Sequence, residues 1–257
     1  MTLYDVMLLG GAGLLAGVVN AVAGGGTFFT FSALVATGLP AITANATSAV
    51  AVLPGSLASA AAYRKEALAE WRHFALLGVI SLAGAGLGAV VLLTLEDAEF
   101  RVLVPWLLLA ATVLFAFSPK ISAFFRERGR QAARSGPVGR VTGGIIQFFV
   151  AIYGGFFGAG MGILMLAALA VTEGDDFHRI NAAKVILSIL INGIAVVLFI
   201  VSGIVEWTEA LVVMAFCVAG GYLGVIAAKA VPTVYVRWFV VAVGSLLSLY
   251  FFGREYL

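Results

Sequence analysis

Four polar side chains lie three and four residues apart inside a very apolar run of this chain. They are Asn181, Lys184, Ser188 and Asn192. On a helix this spacing places all four on one face. An ammonium group flanked by amides and a hydroxyl could bind an anion within an otherwise apolar segment. The alternative is a lysine near a helix end that extends to the headgroups, but this would not explain the polar residues beside it.

A second polar stretch mirrors the first. Asn45 precedes Asn181 by 181 − 45 = 136 residues, and the same shift carries Ser48 onto Lys184. Thr47 lies between the two polar residues of this second stretch. We expect Asn45 and Asn181 to contact a ligand or to support the residues that do. Polar residues in membrane helices also join helices to each other, and this is the favoured interpretation for Ser188.

The composition predicts that the chain lies in a lipid bilayer. Hydrophobic residues make up 62% of the 257 residues, charged residues 11%, and the mean hydropathy is +1.10. Soluble domains average about 25% charged residues. Apolar runs of about 20 residues, the length that crosses a bilayer, recur along the chain. The sequence therefore predicts an all-α polytopic membrane protein, and its single cysteine, Cys217, excludes an internal disulfide.

Two similar sets of helical runs are expected, and the second run of each set is short. The runs fall near 5–22, 27–38, 44–63, 74–95 and 100–118, then near 142–158, 161–172, 180–203, 208–230 and 234–252. Each short run follows a glycine cluster, Gly24-Gly25-Gly26-Thr27 or the stretch 154–162. Backbone amides freed at such breaks cannot stay unpaired in lipid, so they must line a cavity or bind a ligand, and helix N-termini favour anions. Asn20 could cap the first break or contact the ligand.

The repeat and the loop charges predict the topology. The 136-residue shift also pairs Trp71 with Trp207 and Arg101 with Arg237. We divide the chain into a first transmembrane repeat at 1–118, a basic cytoplasmic linker at 119–141 and a second repeat at 142–257. Basic loops stay in the cytoplasm, which places both termini outside and makes the repeats inverted. Inverted repeats with broken helices at matched positions are typical of secondary transporters with a mid-membrane site.

Several function classes are disfavoured by the residues present. Acidic residues cluster at loops, and both histidines, His73 and His178, fall at helix ends. A divalent-cation carrier needs oxygen or imidazole ligands in the membrane, and an enzyme needs a nucleophile with an oriented base. We therefore expect that the protein is not an enzyme and has no metal site. We also expect no cofactor and no nucleic-acid partner.

Several short motifs occur together in the first half: the first glycine cluster, Gly38-Leu39-Pro40, Asn45-Ala46-Thr47-Ser48 and Leu53-Pro54-Gly55-Ser56. The second half has the stretches 154–162 and 178–184, and Ser202-Gly203 ahead of Trp207. Together these motifs resemble the TauE/SafE sulfite exporter family, also called the toluene-sulfonate uptake permeases. The resemblance implies transport of small sulfur-containing anions or organosulfonates across the bacterial cytoplasmic membrane, by exporters or importers. In members of this family, hydroxyl-bearing residues often precede the lysine. Here alanines stand at 182 and 183, so the resemblance leaves the identity of the anion open.

The sequence thus predicts a secondary transporter of sulfite, thiosulfate, sulfoacetate or a similar anion that works by alternating access. The alternative is a non-transporting membrane scaffold that binds a partner helix. The expected partners are a small anion and the lipid bilayer, and a homo-oligomer is left open. The candidate substrate-binding residues are Asn20, Gly24, Gly25, Gly26, Thr27, Asn45, Thr47, Ser48, Gly158, Gly160, Gly162, Asn181, Lys184, Ser188 and Asn192.

Overall fold

A computed structural model describes residues 1–22, 25–62, 64–132, 137–173, 177–230 and 233–256. Within these ranges the secondary structure is entirely helical, which confirms the predicted fold class. The ten helices are α1 Leu3–Val22, α2 Thr27–Ala36, α3 Ala41–Ala62, α4 Arg64–Thr94, α5 Asp97–Ala132, α6 Pro137–Phe156, α7 Met161–Glu173, α8 Phe177–Val201, α9 Trp207–Ala230 and α10 Thr233–Tyr256. In this part of the chain, six helices are long and apolar enough to cross a membrane.

Each expected helical run overlaps one of these helices, and five runs end one or two residues beyond the observed helix. Two helices extend much further than the apolar pattern indicated. Helix α4 already begins at Arg64, and α5 continues through Pro119 to Ala132. With 36 residues, α5 is about 54 Å long at 1.5 Å per residue, well beyond a hydrocarbon core. The last turns of α5, which are rich in basic residues, therefore lie outside the apolar layer but still belong to the helix. The apolar pattern marks the depth of the bilayer, whereas the helix follows backbone hydrogen bonding. The domain division itself stays a prediction.

The first of the two glycine-broken helices, α2, ends in a left-handed turn. After α2, Gly38 takes a φ of +94° and its N–H donates to the Val35 carbonyl, which is the left-handed turn that glycine allows at a helix end. The chain then enters α3, where the Ile42 N–H donates to the Asp97 carboxylate at 3.0 Å. Helix α2 therefore ends at the same end of the bundle as the start of α5.

Helices α1 and α9 lie side by side and run in parallel. Gly10 faces Phe216, and further along Gly17 faces the backbone of Cys217 and Gly220. The start of α1 thus lies beside the start of α9. At the same end, Tyr256 accepts a hydrogen bond from Trp106 in α5. Both chain termini, the start of α5 and the start of α9 therefore share one end of the bundle, which we call the terminal end.

The helices of the two halves pack by exchanging partners. Helix α1 packs on α9, and its counterpart α6 packs on α4. Glycines allow both contacts, because a Cβ at Gly220 would collide with the Leu14 carbonyl and one at Gly88 with the Ile152 carbonyl. Helices α5 and α10 pack on each other, with Gly244 against the Thr112 hydroxyl. This exchange is what two repeats related by a two-fold axis would produce.

Candidate functional site

A cavity of about 470 Å³ lies where the two helix breaks meet α3 and α8. Most of the candidate substrate-binding residues from the sequence line this cavity. They are Asn20, Gly25, Thr27, Asn45, Ser48, Gly158, Gly160, Gly162, Lys184, Ser188 and Asn192. Residues more than 150 positions apart in the chain therefore contribute to one wall, as expected if the two halves build a common site.

The first break is held by an asparagine of α1. The Asn20 Oδ1 accepts a hydrogen bond of 2.7 Å from the Gly26 N–H, so Asn20 caps the break as well as lining the cavity. Gly25 adopts a φ of +94°, and the Phe115 ring occupies the space where a side chain would stand. Gly26 is buried against the backbone of Ala16 and has a packing role.

The second break contains two glycines with positive φ angles, and a hydrogen bond from a tyrosine holds it. Gly158 and Gly160 both have positive φ angles, +77° and +75°. The Tyr153 hydroxyl lies 2.6 Å from the Ala159 carbonyl, to which it donates. At the start of α7 the amides of Met161 and Ile163 donate to the carbonyls of Gly158 and Gly160. The break is thus a fixed, hydrogen-bonded turn whose backbone faces the cavity.

Lys184 lies about two turns inside α8, which begins at Phe177. Its aliphatic chain runs past Gly162, where an added Cβ would lie 4.0 Å from the Lys184 Cδ. Among the described residues that line the cavity, Lys184 carries the only formal charge. Glycine at 162 therefore leaves room for the lysine beside the first turn of α7, where helical amides have no intrahelical acceptor.

The other polar residues of α8 are partly engaged with protein groups. The Asn192 Nδ2 donates to the Ser188 carbonyl at 2.9 Å, and its Oδ1 would lie 4.0 Å from a Cβ at Gly158. The Ser188 hydroxyl lies 3.9 Å from the sulfur of Met165. The amide oxygen of Asn192 is therefore directed toward the second break, and Ser188 joins α8 to α7.

Of the three candidate residues on helix α3, two line the cavity and one lies elsewhere. The Asn45 Nδ2 donates to the Phe156 carbonyl at 3.0 Å, which ties α3 to the end of α6. The Ser48 and Thr30 hydroxyls are 2.6 Å apart. Thr47 is 0% exposed and accepts a hydrogen bond from the Glu206 N–H, so it joins α3 to the start of α9. Gly24 lies outside the described residues, as does the side chain of Asn181.

Aromatic residues form part of the cavity wall, and the polar pattern gave no indication of them. Phe31, Phe115, Phe157 and Phe199 all line it. The Phe31 and Phe157 rings meet edge to face with centroids 5.6 Å apart, and Phe157 also lies 6.4 Å from Phe100. In a chain with 19 phenylalanines, only the position of Phe157 within the second glycine cluster could have marked it.

A bundle of ten described helices, six of them long and apolar enough to cross a membrane, surrounds a cavity that contains polar side chains and one lysine, as in a multi-pass membrane protein. The family model "Sulfite exporter TauE/SafE" matches residues 9–251, and the chain belongs to this family. The sequence resemblance is thereby confirmed.

Several curated relatives cover most of the chain. A "Probable membrane transporter protein" of Haemophilus influenzae is 26% identical over 212 residues, which are 82% of this chain and 80% of the relative. The "Probable membrane transporter protein YfcA" of Escherichia coli K12 is 26% identical over 82% of this chain and 74% of its own length. The "Probable membrane transporter protein ORF9" of a Sinorhizobium species is 24% identical over 76% and 72%. No solved structure matches the chain.

Proposed function

We propose that the chain is a secondary transporter that binds a small sulfur-containing anion or organosulfonate in the central cavity. Sulfite, thiosulfate and sulfoacetate are the candidate substrates. The observation that carries the proposal is the position of Lys184, a cation two turns inside an apolar helix that faces a cavity of about 470 Å³. The volume falls in the range of about 300–1,000 Å³ found for small-molecule sites.

The charge of the cavity favours an anion. Lysines within membrane segments are rare, and they usually pair with an opposite charge or face a water-filled cavity. The described lining contains no carboxylate that could neutralise Lys184. A bound anion would supply the missing charge beside the first turn of α7, and a helix N-terminus favours negative charge. A cation would meet repulsion at the same place.

The remaining candidate residues have defined parts in this proposal. Asn20 and Asn45 hold the two breaks in place through their hydrogen bonds to Gly26 and Phe156. Each also lines the cavity, so the group that fixes the backbone lies next to the ligand. In this proposal Lys184 supplies the positive charge that binds the anion, and the two asparagines position the broken helices.

The mechanism in this proposal is alternating access. Phe31 and Phe157 line the cavity, and Phe157 packs on Phe100, which is fully buried and lies one turn from Asp97 at the terminal end. This aromatic layer separates the cavity from the terminal end. In the proposal, the two halves are inverted repeats that rock around the anion and open this layer while the opposite end closes.

Thermal stability of the purified protein against sulfite, thiosulfate, sulfate, sulfoacetate, taurine and chloride tests the proposal. A ligand that binds only the folded state stabilises it by about 2.7 kcal/mol at a hundredfold excess over its Kd. We expect one sulfur anion to raise the melting temperature of the wild type and of Lys120→Ala, which removes a lysine outside the cavity. Lys184→Ala should lose the rise. A flat panel would favour the scaffold alternative, and an unchanged rise in Lys184→Ala would contradict the site.

A further inference from the structure

Two arginines at matched positions of the repeat have opposite surroundings. Arg101 and Arg237 are 237 − 101 = 136 residues apart, and each is the fifth residue of its helix, α5 or α10. The Arg101 Nε lies 4.0 Å from an oxygen of Asp97 and 4.0 Å from one of Glu255. The Arg101 side chain is also 51% exposed. This arginine therefore has both carboxylates and water to balance its charge.

Arg237 has neither carboxylate. Its Nε is buried and has no hydrogen-bond partner within the described part of the chain. The 136-residue shift carries Asp97 onto Thr233 and carries Pro119 onto Glu255, so the two acids beside Arg101 have no counterparts beside Arg237. The Nε is enclosed by protein, but the Arg237 side chain as a whole is only partly buried, so an anionic group outside the chain can balance the guanidinium charge.

The register of α5 and α10 locates this arginine along the bundle. These helices run antiparallel, since Arg101 lies beside Glu255 and Thr112 beside Gly244. Continuing that register places Arg237 level with about residue 119 of α5, at the end opposite to the termini. The basic segment 119–141 starts at this level. The guanidinium carbon lies 5.9 Å from the ring of Trp238, which is exposed. Exposed tryptophans at this depth are typical of the membrane–water interface.

Among the described side chains, no carboxylate of a neighbouring helix pairs with Arg237. Helices α5 and α1 pack on α10, and α2 contacts it through the stacked rings of Phe29 and Phe239. The acids Asp5, Asp97 and Glu99 lie at the terminal end, and α2 has none. Glu127, whose side chain lies outside the described residues, follows residue 119 by about two helical turns, or about 12 Å.

We propose that Arg237, together with Trp238, binds the phosphate group of an anionic phospholipid in the leaflet on the side opposite to the chain termini. A guanidinium can hold two phosphate oxygens with parallel hydrogen bonds, and interfacial tryptophan packs beside the glycerol region. Anionic lipids concentrate where a basic segment meets the membrane. Neither residue lines the central cavity, so this lipid site is separate from the transport site and does not depend on the identity of the cargo.

The test compares phosphatidylglycerol, phosphatidylcholine and inorganic phosphate added to the detergent-purified protein. Melting temperature and native mass spectrometry are read for the wild type, Arg237→Gln, Arg237→Lys and the matched control Arg101→Gln. We expect phosphatidylglycerol to raise the melting temperature of the wild type and of Arg101→Gln and to remain bound in the spectrometer. Arg237→Gln should lose most of the rise and the bound lipid, and Arg237→Lys, which keeps the charge, should retain part of both.

Three results would overturn the lipid site. An equal rise with phosphatidylcholine would show that lipid charge does not matter, and an equal rise with inorganic phosphate would show a site for a free ion. No rise with phosphatidylglycerol, together with equal destabilisation by Glu127→Gln and Arg237→Gln, would show that Glu127 is the partner of this arginine.

Discussion

At the scale of single residues, helical spacing determines which polar groups reach the cavity. Lys184, Ser188 and Asn192 repeat at four-residue intervals and all line it, as their spacing predicted. Thr47 directly precedes Ser48, yet it contacts the start of α9 because successive helical residues point about 100° apart. Neighbouring polar residues can therefore point in different directions, one toward the cavity and one toward another helix. Only the three-dimensional packing shows which residue does which.

The glycines show the same limit of sequence reasoning. A glycine cluster predicts a break, and both breaks are present. It does not predict that Gly25 makes room for Phe115 while its neighbour Gly26 packs on Ala16. These roles depend on helices that approach from elsewhere in the chain.

Asn45 offers a test of the sign of the cavity charge. Asn45→Asp and Asn45→Ala both remove the donor to the Phe156 carbonyl, so each should lower the free energy of unfolding by about 1–3 kcal/mol. Only the aspartate adds a negative charge facing the cavity. We expect Asn45→Asp to weaken binding of the stabilising anion by about tenfold or more relative to Asn45→Ala, measured as Kd by titration calorimetry. Equal affinity in the two variants would count against an anion at this place.

At the scale of helices, most of the architecture follows from hydrophobic runs and glycine breaks, but the pairing of helices does not. The sequence predicted ten helical runs, and ten helices are described. It did not predict that α1 packs parallel to α9 or α6 to α4, because such contacts depend on which small residues face each other across the halves. The length of α5 was also missed, since polar helical turns beyond the bilayer leave no apolar signal.

Two nearby glycines of α4 test this packing. A Cβ at Gly88 would collide with the Ile152 carbonyl of α6, whereas one at Gly86 would meet only Ile194 at 4.0 Å. We expect Gly88→Ala to separate α4 from α6 and to lower stability by about 1–3 kcal/mol, as overpacking does. Gly86→Ala should be neutral or stabilising by up to about 1 kcal/mol, because alanine favours the helix. Melting temperatures in one detergent compare the two, and equal values would contradict the packing.

At the scale of the whole molecule, the described helices place both termini and the acidic turn at Asp97 at one end. The basic segment 119–141 belongs to the other end, and positive loops stay in the cytoplasm. We therefore expect the terminal end to face the outside of the cell. This orientation would place the aromatic layer of Phe31, Phe157 and Phe100 on the outer side of the cavity.

Labelling of single cysteines tests the orientation. Cys217 is the only natural cysteine, so Cys217→Ala supplies the background. Thr2→Cys should react with a membrane-impermeant maleimide in intact cells, and Gln131→Cys in the basic segment should react only after lysis. The reverse pattern would invert the topology, and labelling of both in intact cells would contradict the placement of the basic segment.

The central claim is that Lys184 binds a transported anion, and exchange of labelled thiosulfate or sulfite in proteoliposomes tests it most directly. Exchange of labelled for unlabelled anion needs no knowledge of the coupling ion or of the direction of transport. We expect the wild type and Lys120→Ala to exchange at equal rates, and Lys184→Ala to lose exchange while its melting temperature without ligand is unchanged. Exchange by Lys184→Ala at the wild-type rate, at equal protein per liposome, would show that the anion is bound without this lysine.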